Sequence, residues 1–263
     1  MRSQRKSCAM EPRIIRRPTR LLNPARSGAF TLKSWHMTPP LRALVFDAYG
    51  TLFNVHSVVA TCETLFPGNG NALSQLWRTK QLEYSWLRSL MGRYVDFNQV
   101  TREGLQFACK SLGLAYSDDI LARLEYAYRT LALFDDALTT LQQLRREQPL
   151  LKLAILSNGA TEMLDAVVNF NQLDTMLDAV LSVDAVACFK PDPRVYQLAC
   201  DQLQVNRDEV AFVSSNGWDA AGAKSFGFKT FWINRTSAPV DALGVKPDQV
   251  LNTLAELPAM LSS

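Results

Sequence analysis

A single aspartate, Asp47, directly follows a short apolar run and is the first candidate for chemistry in this sequence. The run, residues 42–46, has the length and composition of a buried strand, so a carboxylate at its end would be partly removed from water. Such a carboxylate needs a positive partner, and Lys190, which follows a later apolar run, is the natural one. A carboxylate activated in this way acts as a covalent nucleophile, although a purely structural Asp–Lys pair is an alternative interpretation.

Polar clusters also follow the later apolar runs. They are residues 157–159, 190–192 and 214–219. In an open parallel sheet, ligands bind beyond the carboxyl ends of the strands, where such clusters converge. Any one Ser or Asn taken alone is more often a helix cap or a turn residue. Together with Asp47 the clusters number four, and their convergence indicates a functional site.

The elements that must position these residues alternate between strand and helix. The predicted strands are residues 42–46, 152–156, 179–183, 210–213 and 230–233, and two predicted helices are 161–170 and 193–203. Several of the strands are almost continuously apolar, as is typical of a parallel sheet covered on both faces. Repeated strand–helix units predict an α/β fold with a doubly wound, Rossmann-like parallel sheet.

The alternation stops between about residues 57 and 133. This interval holds no good strand, and helical periodicity is found at 72–91, 101–112 and 118–131. An apolar stripe that includes Leu73, Leu87 and Met91 predicts that the first of these helices packs along its length. We therefore expect an all-helical cap subdomain, 57–133, inserted into an α/β core domain made of 41–56 and 134–263.

The distribution of charge narrows the classes of function. Residues 1–36 hold nine Lys or Arg and one acid, whereas 37–263 hold 19 basic and 24 acidic side chains. The body is mildly acidic, so we expect no nucleic-acid partner. The basic extension 1–40 has too little apolar surface to offset the entropy of ordering, and we expect it to be disordered. No apolar run approaches the length of a membrane span, so no membrane partner is expected.

Cysteine and histidine usage indicates the compartment and argues against a zinc site. The chain has five cysteines, without a CxxC pair, and two histidines. An odd number without that spacing is unlike a disulfide framework or a structural zinc site. A reducing, cytoplasmic setting fits this composition.

Four motifs carry a family resemblance: FDAYGTLF at 46–53, LSNG at 156–159, KPDPRVY at 190–196 and SSNGWD at 214–219. Together with LWRTKQLEYSWLRSLMGRY at 76–94, they resemble the haloacid dehalogenase superfamily, and more closely its L-2-haloacid dehalogenase branch. The resemblance covers nearly all of 41–258. It implies hydrolysis of small (S)-2-haloalkanoic acids to (R)-2-hydroxyalkanoic acids through an ester on Asp47, with water as the second substrate. It also implies a homodimer.

Position 49 distinguishes this branch from the phosphatases of the superfamily. Those enzymes carry a second Asp there, which protonates a leaving oxygen. Tyr49 cannot do so near neutral pH, but a halide leaves without a proton. The phosphatases also hold Mg²⁺ with paired acids after the fourth strand, where this chain has Ser214, Ser215, Asn216 and a single acid, Asp219. Because Mg²⁺ prefers several hard oxygen ligands, we predict no metal and no cofactor.

The resemblance implies a role for each catalytic residue. Asp47 is the nucleophile, its charge is balanced by Lys190, and Thr51 and Ser214 hold it by hydrogen bonds. Arg78, on the cap, accepts the departing halide. Asn216 and Asp219 position and activate the hydrolytic water.

The resemblance also implies the substrate-binding residues. With Arg78 they are Ala48, Tyr49, Leu82, Phe97, Ser157, Asn158, Tyr196 and Trp218. Ser157 is expected to bind the substrate carboxylate, Asn158 to help hold the halide and Tyr196 to orient Lys190. For Leu82 and Phe97, plain core packing is an equal alternative. Thr79 departs from the branch, which has a longer polar side chain after its arginine.

Two other functions stay open from the sequence alone. One is a phosphatase or phosphonate hydrolase of the same superfamily, which Tyr49 and the missing acidic pair oppose. The other is a catalytically silent module that binds a small carboxylate. The presence of Asp47, Arg78, Lys190 and Asp219 together opposes that alternative.

Overall fold

The computed structural model describes residues 39–261. Its strands are β1 (Ala43–Phe46), β2 (Lys152–Ser157), β3 (Ala179–Ser182), β4 (Val210–Ser214), β5 (Lys229–Ile233) and β6 (Gln249–Leu251). Its helices are α1 (Val58–Leu65), α2 (Gly70–Leu90), α3 (Phe97–Ser111), α4 (Asp118–Arg129), α5 (Ala137–Glu147), α6 (Thr161–Phe170), α7 (Pro193–Leu203), α8 (Gly217–Phe226) and α9 (Leu257–Leu261). The disorder predicted for 1–40 falls almost wholly outside the described residues. Within 39–261 no helix has both the length and the apolar composition needed to cross a membrane.

The six strands form one parallel sheet in the order β3-β2-β1-β4-β5-β6. The doubly wound α/β fold is therefore confirmed, and each of the five predicted strands agrees with the observed one to within a residue. β6 was not predicted, because this three-residue edge strand has two exposed positions and no apolar run. Winding reverses direction between β1 and β4, which makes the carboxyl ends of these two strands the switch point where ligands bind.

Local sequence explains where the strands and helices that flank the site begin. β1 and β4 are buried at every position, as their apolar composition predicts. α7 begins as predicted, with Pro193 as its first residue and the Asp192 carboxylate accepting a hydrogen bond from the Arg194 N–H. The register pairs Phe46 with Val213, so the next residues along the two strands, Asp47 and Ser214, lie side by side.

Helices α1 to α4 intervene between β1 and α5 and pack mainly on one another. α2 lies against α1 and α3, and α4 contacts both of those helices as well as α6. The segments that enter and leave this insertion are paired with each other by two backbone hydrogen bonds. The Asn54 N–H donates to the Ala132 carbonyl at 2.8 Å, and the Phe134 N–H donates to the Leu52 carbonyl at 2.9 Å. The helical insertion is therefore held by a short paired stem.

The prediction that an apolar stripe packs along the whole of α2 is wrong for the second half of the helix. Leu87 is 44% exposed and Met91 is 61% exposed. The buried row instead continues from Trp77 through Gln81 to Ser85. Gln81 can lie inside because its amide donates to Thr101 Oγ1 at 3.0 Å and accepts from the Tyr128 hydroxyl at 3.1 Å.

Candidate active site

The Asp47 carboxylate lies at the end of β1 and is only 6% exposed. Its Oδ2 accepts hydrogen bonds from Asn216 Nδ2 at 2.8 Å and Thr51 Oγ1 at 3.0 Å, with Ser214 Oγ at 3.4 Å. Its Oδ1 accepts from Lys190 Nζ at 3.0 Å. Asn216 and Thr51 therefore fix one oxygen, with the Ser214 hydroxyl nearby, while the other oxygen faces a single ammonium group among the described residues.

Two loops joined by a hydrogen bond hold these donors in place. In the turn after β1, the Ala48 carbonyl accepts three successive backbone N–H groups, including that of Thr51. Gly50 has a φ of +90° there, a conformation that favours glycine. Thr51 Oγ1 also accepts from the Ser215 N–H at 2.8 Å, which joins this turn to the loop after β4. The nucleophile candidate is thus positioned by backbone as well as by side chains.

Lys190 lies between two carboxylates and is 1% exposed. Its Nζ is 3.0 Å from Asp47 Oδ1 and 2.8 Å from Asp219 Oδ2. Burial alone would lower the pKa of Lys190, but the two carboxylates outweigh it and hold that pKa above its ordinary value. The lysine therefore stays charged and neutralises part of a buried pair of acids.

Asp219 is fully buried at the start of α8. Besides Lys190, it accepts from the Tyr196 hydroxyl at 2.8 Å on Oδ1, and Ser214 Oγ lies 3.2 Å from Oδ2. Burial raises the pKa of Asp219 to about 6, against the opposing charge of Lys190. Burial also holds the pKa of Tyr196 well above its ordinary value. Near neutral pH, Asp219 is thus mainly ionised and Tyr196 is a neutral donor.

Tyr196, expected to orient Lys190, reaches Asp219, which in turn accepts from Lys190. Any effect of the tyrosine on the lysine is therefore indirect. The contact depends on a close approach of α7 and α8, because a Cβ placed on Gly222 would lie 2.5 Å from the Tyr196 hydroxyl and 2.6 Å from Pro191 Cβ. This glycine was not singled out from the sequence.

Arg78 brings a positive charge to this network from α2. Its Nη2 lies 3.5 Å from Asn216 Oδ1, and the amide nitrogen of the same Asn216 donates to Asp47. Leu82 follows one turn later on the same face of α2 and is partly buried. The helical insertion thus supplies a guanidinium that the sheet alone lacks at this position.

An apolar wall stands beside Asp47. Tyr49 is 4% exposed, and its ring centroid lies 6.5 Å from that of Phe97 and 6.3 Å from that of Tyr128. Its hydroxyl is buried and has no hydrogen-bond partner among the described residues. Burial raises the pKa of Tyr49, so the hydroxyl stays protonated. Trp218, on α8, packs its ring edge-on against Trp86 of α2, with centroids 5.3 Å apart.

The end of β2 completes this edge of the site. Ser157 is 1% exposed, and its Oγ accepts from the Gly159 N–H at 3.0 Å. Asn158 Oδ1 accepts from the backbone N–H of Lys190 at 2.8 Å, which ties the loop that carries the lysine to β2. Ser157 and Asn158 therefore lie at the same sheet edge as Asp47, as their positions after a strand predict.

Sequence reasoning did not single out Tyr128, which lies on α4 behind Tyr49. Tyr128 is 1% exposed, and burial raises its pKa to about 12. Its hydrogen bond to Gln81 fixes it against α2. The signal available in the sequence was Gln81 itself, a polar residue on a helix whose neighbouring face is apolar.

The arrangement is suited to nucleophilic displacement by a carboxylate oxygen. Asp47 Oδ1 is held but not saturated by donors, and Lys190 and Arg78 both bring cationic groups to the network. Among residues 39–261 no group of three or more His, Cys, Asp or Glu side chains is placed to hold a metal ion. The ammonium of Lys190 instead bridges the two acids.

Comparison with known proteins agrees with this geometry. A family model for haloacid dehalogenase-like hydrolases matches residues 41–227. The (S)-2-haloacid dehalogenase of Pseudomonas sp. (strain YL) is 50% identical over 214 residues, which cover 81% of this chain and 91% of that protein. An (S)-2-haloacid dehalogenase of Pseudomonas putida is 45% identical over 217 residues, covering 82% of this chain and 95% of that protein.

A solved structure extends the similarity to three dimensions. The L-2-haloacid dehalogenase from Xanthobacter autotrophicus, with chloropropionic acid covalently bound, is 43% identical and matches with a TM-score of 0.79. The match covers 85% of this chain and 99% of that one. Sequence, fold and site therefore agree that this chain belongs to the family of haloacid dehalogenase-like hydrolases.

Proposed function

We propose that this chain hydrolyses the carbon–halogen bond of small (S)-2-haloalkanoic acids and releases (R)-2-hydroxyalkanoic acids. The observation that carries this function is the Asp47 carboxylate, fixed through Oδ2 and open at Oδ1, with Tyr49 where a phosphatase needs a second acid. The names of the similar proteins, and the covalently bound chloropropionic acid in one of them, support the same reaction.

In the first step, Asp47 Oδ1 attacks C2 of the haloacid opposite the halogen. A lone pair on Oδ1 forms the new O–C bond, and the electrons of the carbon–halogen bond leave with the halide. Configuration at C2 is therefore inverted. Arg78 accepts the departing anion without transferring a proton, which is the role that suits a guanidinium.

In the second step, water attacks the carboxyl carbon of the Asp47 ester. C2 is untouched, so the inverted configuration is kept and the product is the (R)-hydroxy acid. Asp219 accepts the proton of the attacking water, and Ser214, within 3.4 Å of both acids, connects it to Asp47. As the adduct collapses, the acyl–oxygen bond breaks and the alcohol oxygen takes the remaining proton of the former water, which restores Asp47 as a carboxylate. The proton held by Asp219 then passes to solvent.

Lys190 supplies the positive charge that balances the two acids. Its ammonium lies within 3.0 Å of an oxygen of each acid, and both contacts are buried. A cation brought to the same oxygens would be repelled by it. The proposed reaction is therefore independent of metal and of any other cofactor.

The remaining residues would bind and enclose the substrate. Ser157 and the backbone N–H groups near it would hold the carboxylate, while Asn158 helps to accommodate the halide. The wall that contacts a small alkyl chain comprises Ala48, Tyr49, Leu82, Phe97 and Trp218. The helical insertion, about 57–133, acts as a cap over a core made of 41–56 and 134–263. We place the enzyme in the cytoplasm, as a homodimer.

Halide release from the separate enantiomers of 2-chloropropionate tests the function. We expect release from the S enantiomer alone, with the R hydroxy acid as product and no loss on adding EDTA. A single turnover in ¹⁸O-labelled water should place the label in Asp47 rather than in the product. No halide from either enantiomer would contradict the proposal. Phosphomonoester hydrolysis that EDTA abolishes would support the phosphatase instead.

A further inference from the structure

A cavity of about 400 Å³ lies beside α2, on the side of the helix that carries Arg78. Its wall includes His56 and four polar residues of one face of that helix, Asn71, Ser74, Gln75 and Thr79. These helix positions are spaced at three, four and eight residues, as a continuous helical face requires. The cavity is several times larger than a small haloacid.

The floor of this cavity is shared with the active site. Arg78 lines it, and Nη2 of the same side chain lies 3.5 Å from Asn216 Oδ1 in the catalytic network. Tyr128 also lines it, and its ring stands 6.3 Å from the ring of Tyr49, beside Asp47. Two separate side chains therefore connect the cavity to the reacting centre.

The lining chemistry of the cavity favours anions. Arg78 supplies a positive charge, the remaining polar groups are amides, hydroxyls and an imidazole, and no Asp or Glu is among the described residues of the wall. By contrast, a cavity of about 320 Å³ between α3 and α4 is lined by Asp96 and Glu125 as well as by Arg102 and Arg129. The incoming haloacid and the outgoing halide are both anions, so an acid-free route avoids like-charge repulsion.

We propose that the cavity lined by Asn71, Gln75 and Arg78 is the vestibule through which the haloacid enters and the halide leaves. This inference rests on the proposed dehalogenase function. The short side chain of Thr79 lines the vestibule, and Arg78, which also contacts the catalytic network, transfers the anion between the vestibule and the nucleophile. Residues at the exposed end of the vestibule then affect the rate at which anions are captured, without taking part in the chemical step.

A charge series at Asn71 tests the vestibule, because this exposed residue is two turns from Arg78 and outside the catalytic network. Asn71→Asp should lower kcat/KM for (S)-2-chloropropionate by about two- to fivefold and raise the inhibition constant of added chloride by a similar factor, as expected for one charge near a binding route. Asn71→Lys should shift both quantities in the opposite direction. The single-turnover rate of ester formation at saturating substrate should stay within about twofold of the parent enzyme.

The matched control is Gln99, an exposed amide near the start of α3 that lines the other cavity. Gln99→Glu and Gln99→Lys should leave both quantities unchanged, while thermal unfolding confirms that all four variants are folded. Equal shifts in the two series, or no trend at Asn71 while the parent enzyme releases halide, would overturn the vestibule. A parent enzyme that releases no halide would instead reject the function on which the vestibule depends.

Discussion

At the scale of single residues, the two oxygens of Asp47 differ in what they can do. Oδ2 accepts from Thr51 and Asn216, so the oxygen that faces Lys190 is the one able to form a bond. Asp47→Asn replaces this nucleophile with an amide of nearly the same size. We expect halide release to fall by about 10⁴-fold or more.

A continuous chloride assay measures this loss, and Asp165→Asn is the matched control because Asp165 is exposed on α6. The control should keep full activity. An Asp47→Asn enzyme with near-normal turnover and no reversion of the amide to acid would show that another group attacks C2.

The proposed role of Asp219 predicts that Tyr196 affects the acid limb of the pH profile. Asp219 must be ionised to accept a proton, so ester hydrolysis should be lost as the pH falls through about 6. The hydrogen bond from Tyr196 lowers the pKa of Asp219, and Tyr196→Phe removes it. We therefore expect the acid limb of single-turnover ester hydrolysis to move to higher pH in this variant.

Tyr94→Phe is the corresponding control, because the Tyr94 hydroxyl donates to a carboxylate, Asp184, outside the catalytic network. Its acid limb should match that of the parent enzyme. A limb in Tyr196→Phe that is unmoved or shifted to lower pH would mean that Asp219 is not the group that titrates.

At the scale of elements, the approach of α7 to α8 decides whether Tyr196 and Asp219 meet. Gly222 permits this approach, since an added Cβ would overlap the rigid ring of Pro191 as well as the tyrosine hydroxyl. Gly222→Ala must push the helices apart, at a cost of about 1–3 kcal/mol. We expect a lower midpoint of thermal unfolding together with a lower kcat.

Ser225→Ala, on the exposed face of the same helix, provides the comparison. It should change neither the unfolding midpoint nor kcat appreciably. If Gly222→Ala were as stable and as active as this control, α8 would have room to move without disturbing the catalytic network.

At the scale of the whole molecule, the proposed homodimer would cover the exposed half of the α2 stripe. Tyr84, Leu87, Met91 and Phe107 line a groove of about 660 Å³, and three of them are more than a third exposed. Such a stripe ordinarily packs against something. We expect a particle of twice the 29.4 kDa chain mass in sedimentation equilibrium, and Leu87→Glu with Met91→Glu should convert it to a monomer.

Leu150→Glu is the control for this pair of changes, because Leu150 is 94% exposed and lies outside that groove. It should leave the dimer intact. A parent protein that sediments as a monomer at micromolar concentration would remove the proposed homodimer.

The sequence by itself determined the parallel sheet and the strand ends that carry the polar clusters. Short apolar runs that alternate with helical segments indicate the strands of a covered parallel sheet, and the topology of such sheets places their carboxyl ends at one edge. The positions of Asp47, Lys190, Ser214 and Asp219 after those runs are enough to group them at one site. The helical insertion was equally visible, because its periodicity differs from that of the core.

The tertiary structure decided which helix face is buried and which side chains meet, because periodicity and strand ends do not specify either. Helical spacing does not fix which face of α2 is buried. The face that carries Gln81 is buried in the structure, where Gln81 forms hydrogen bonds with Thr101 and Tyr128. Likewise, which oxygen of Asp47 stays open, and that Tyr196 reaches Asp219, depend on distances between loops that are far apart in the chain. Those distances follow from the packing of segments that are distant in the chain, and local sequence patterns do not specify that packing.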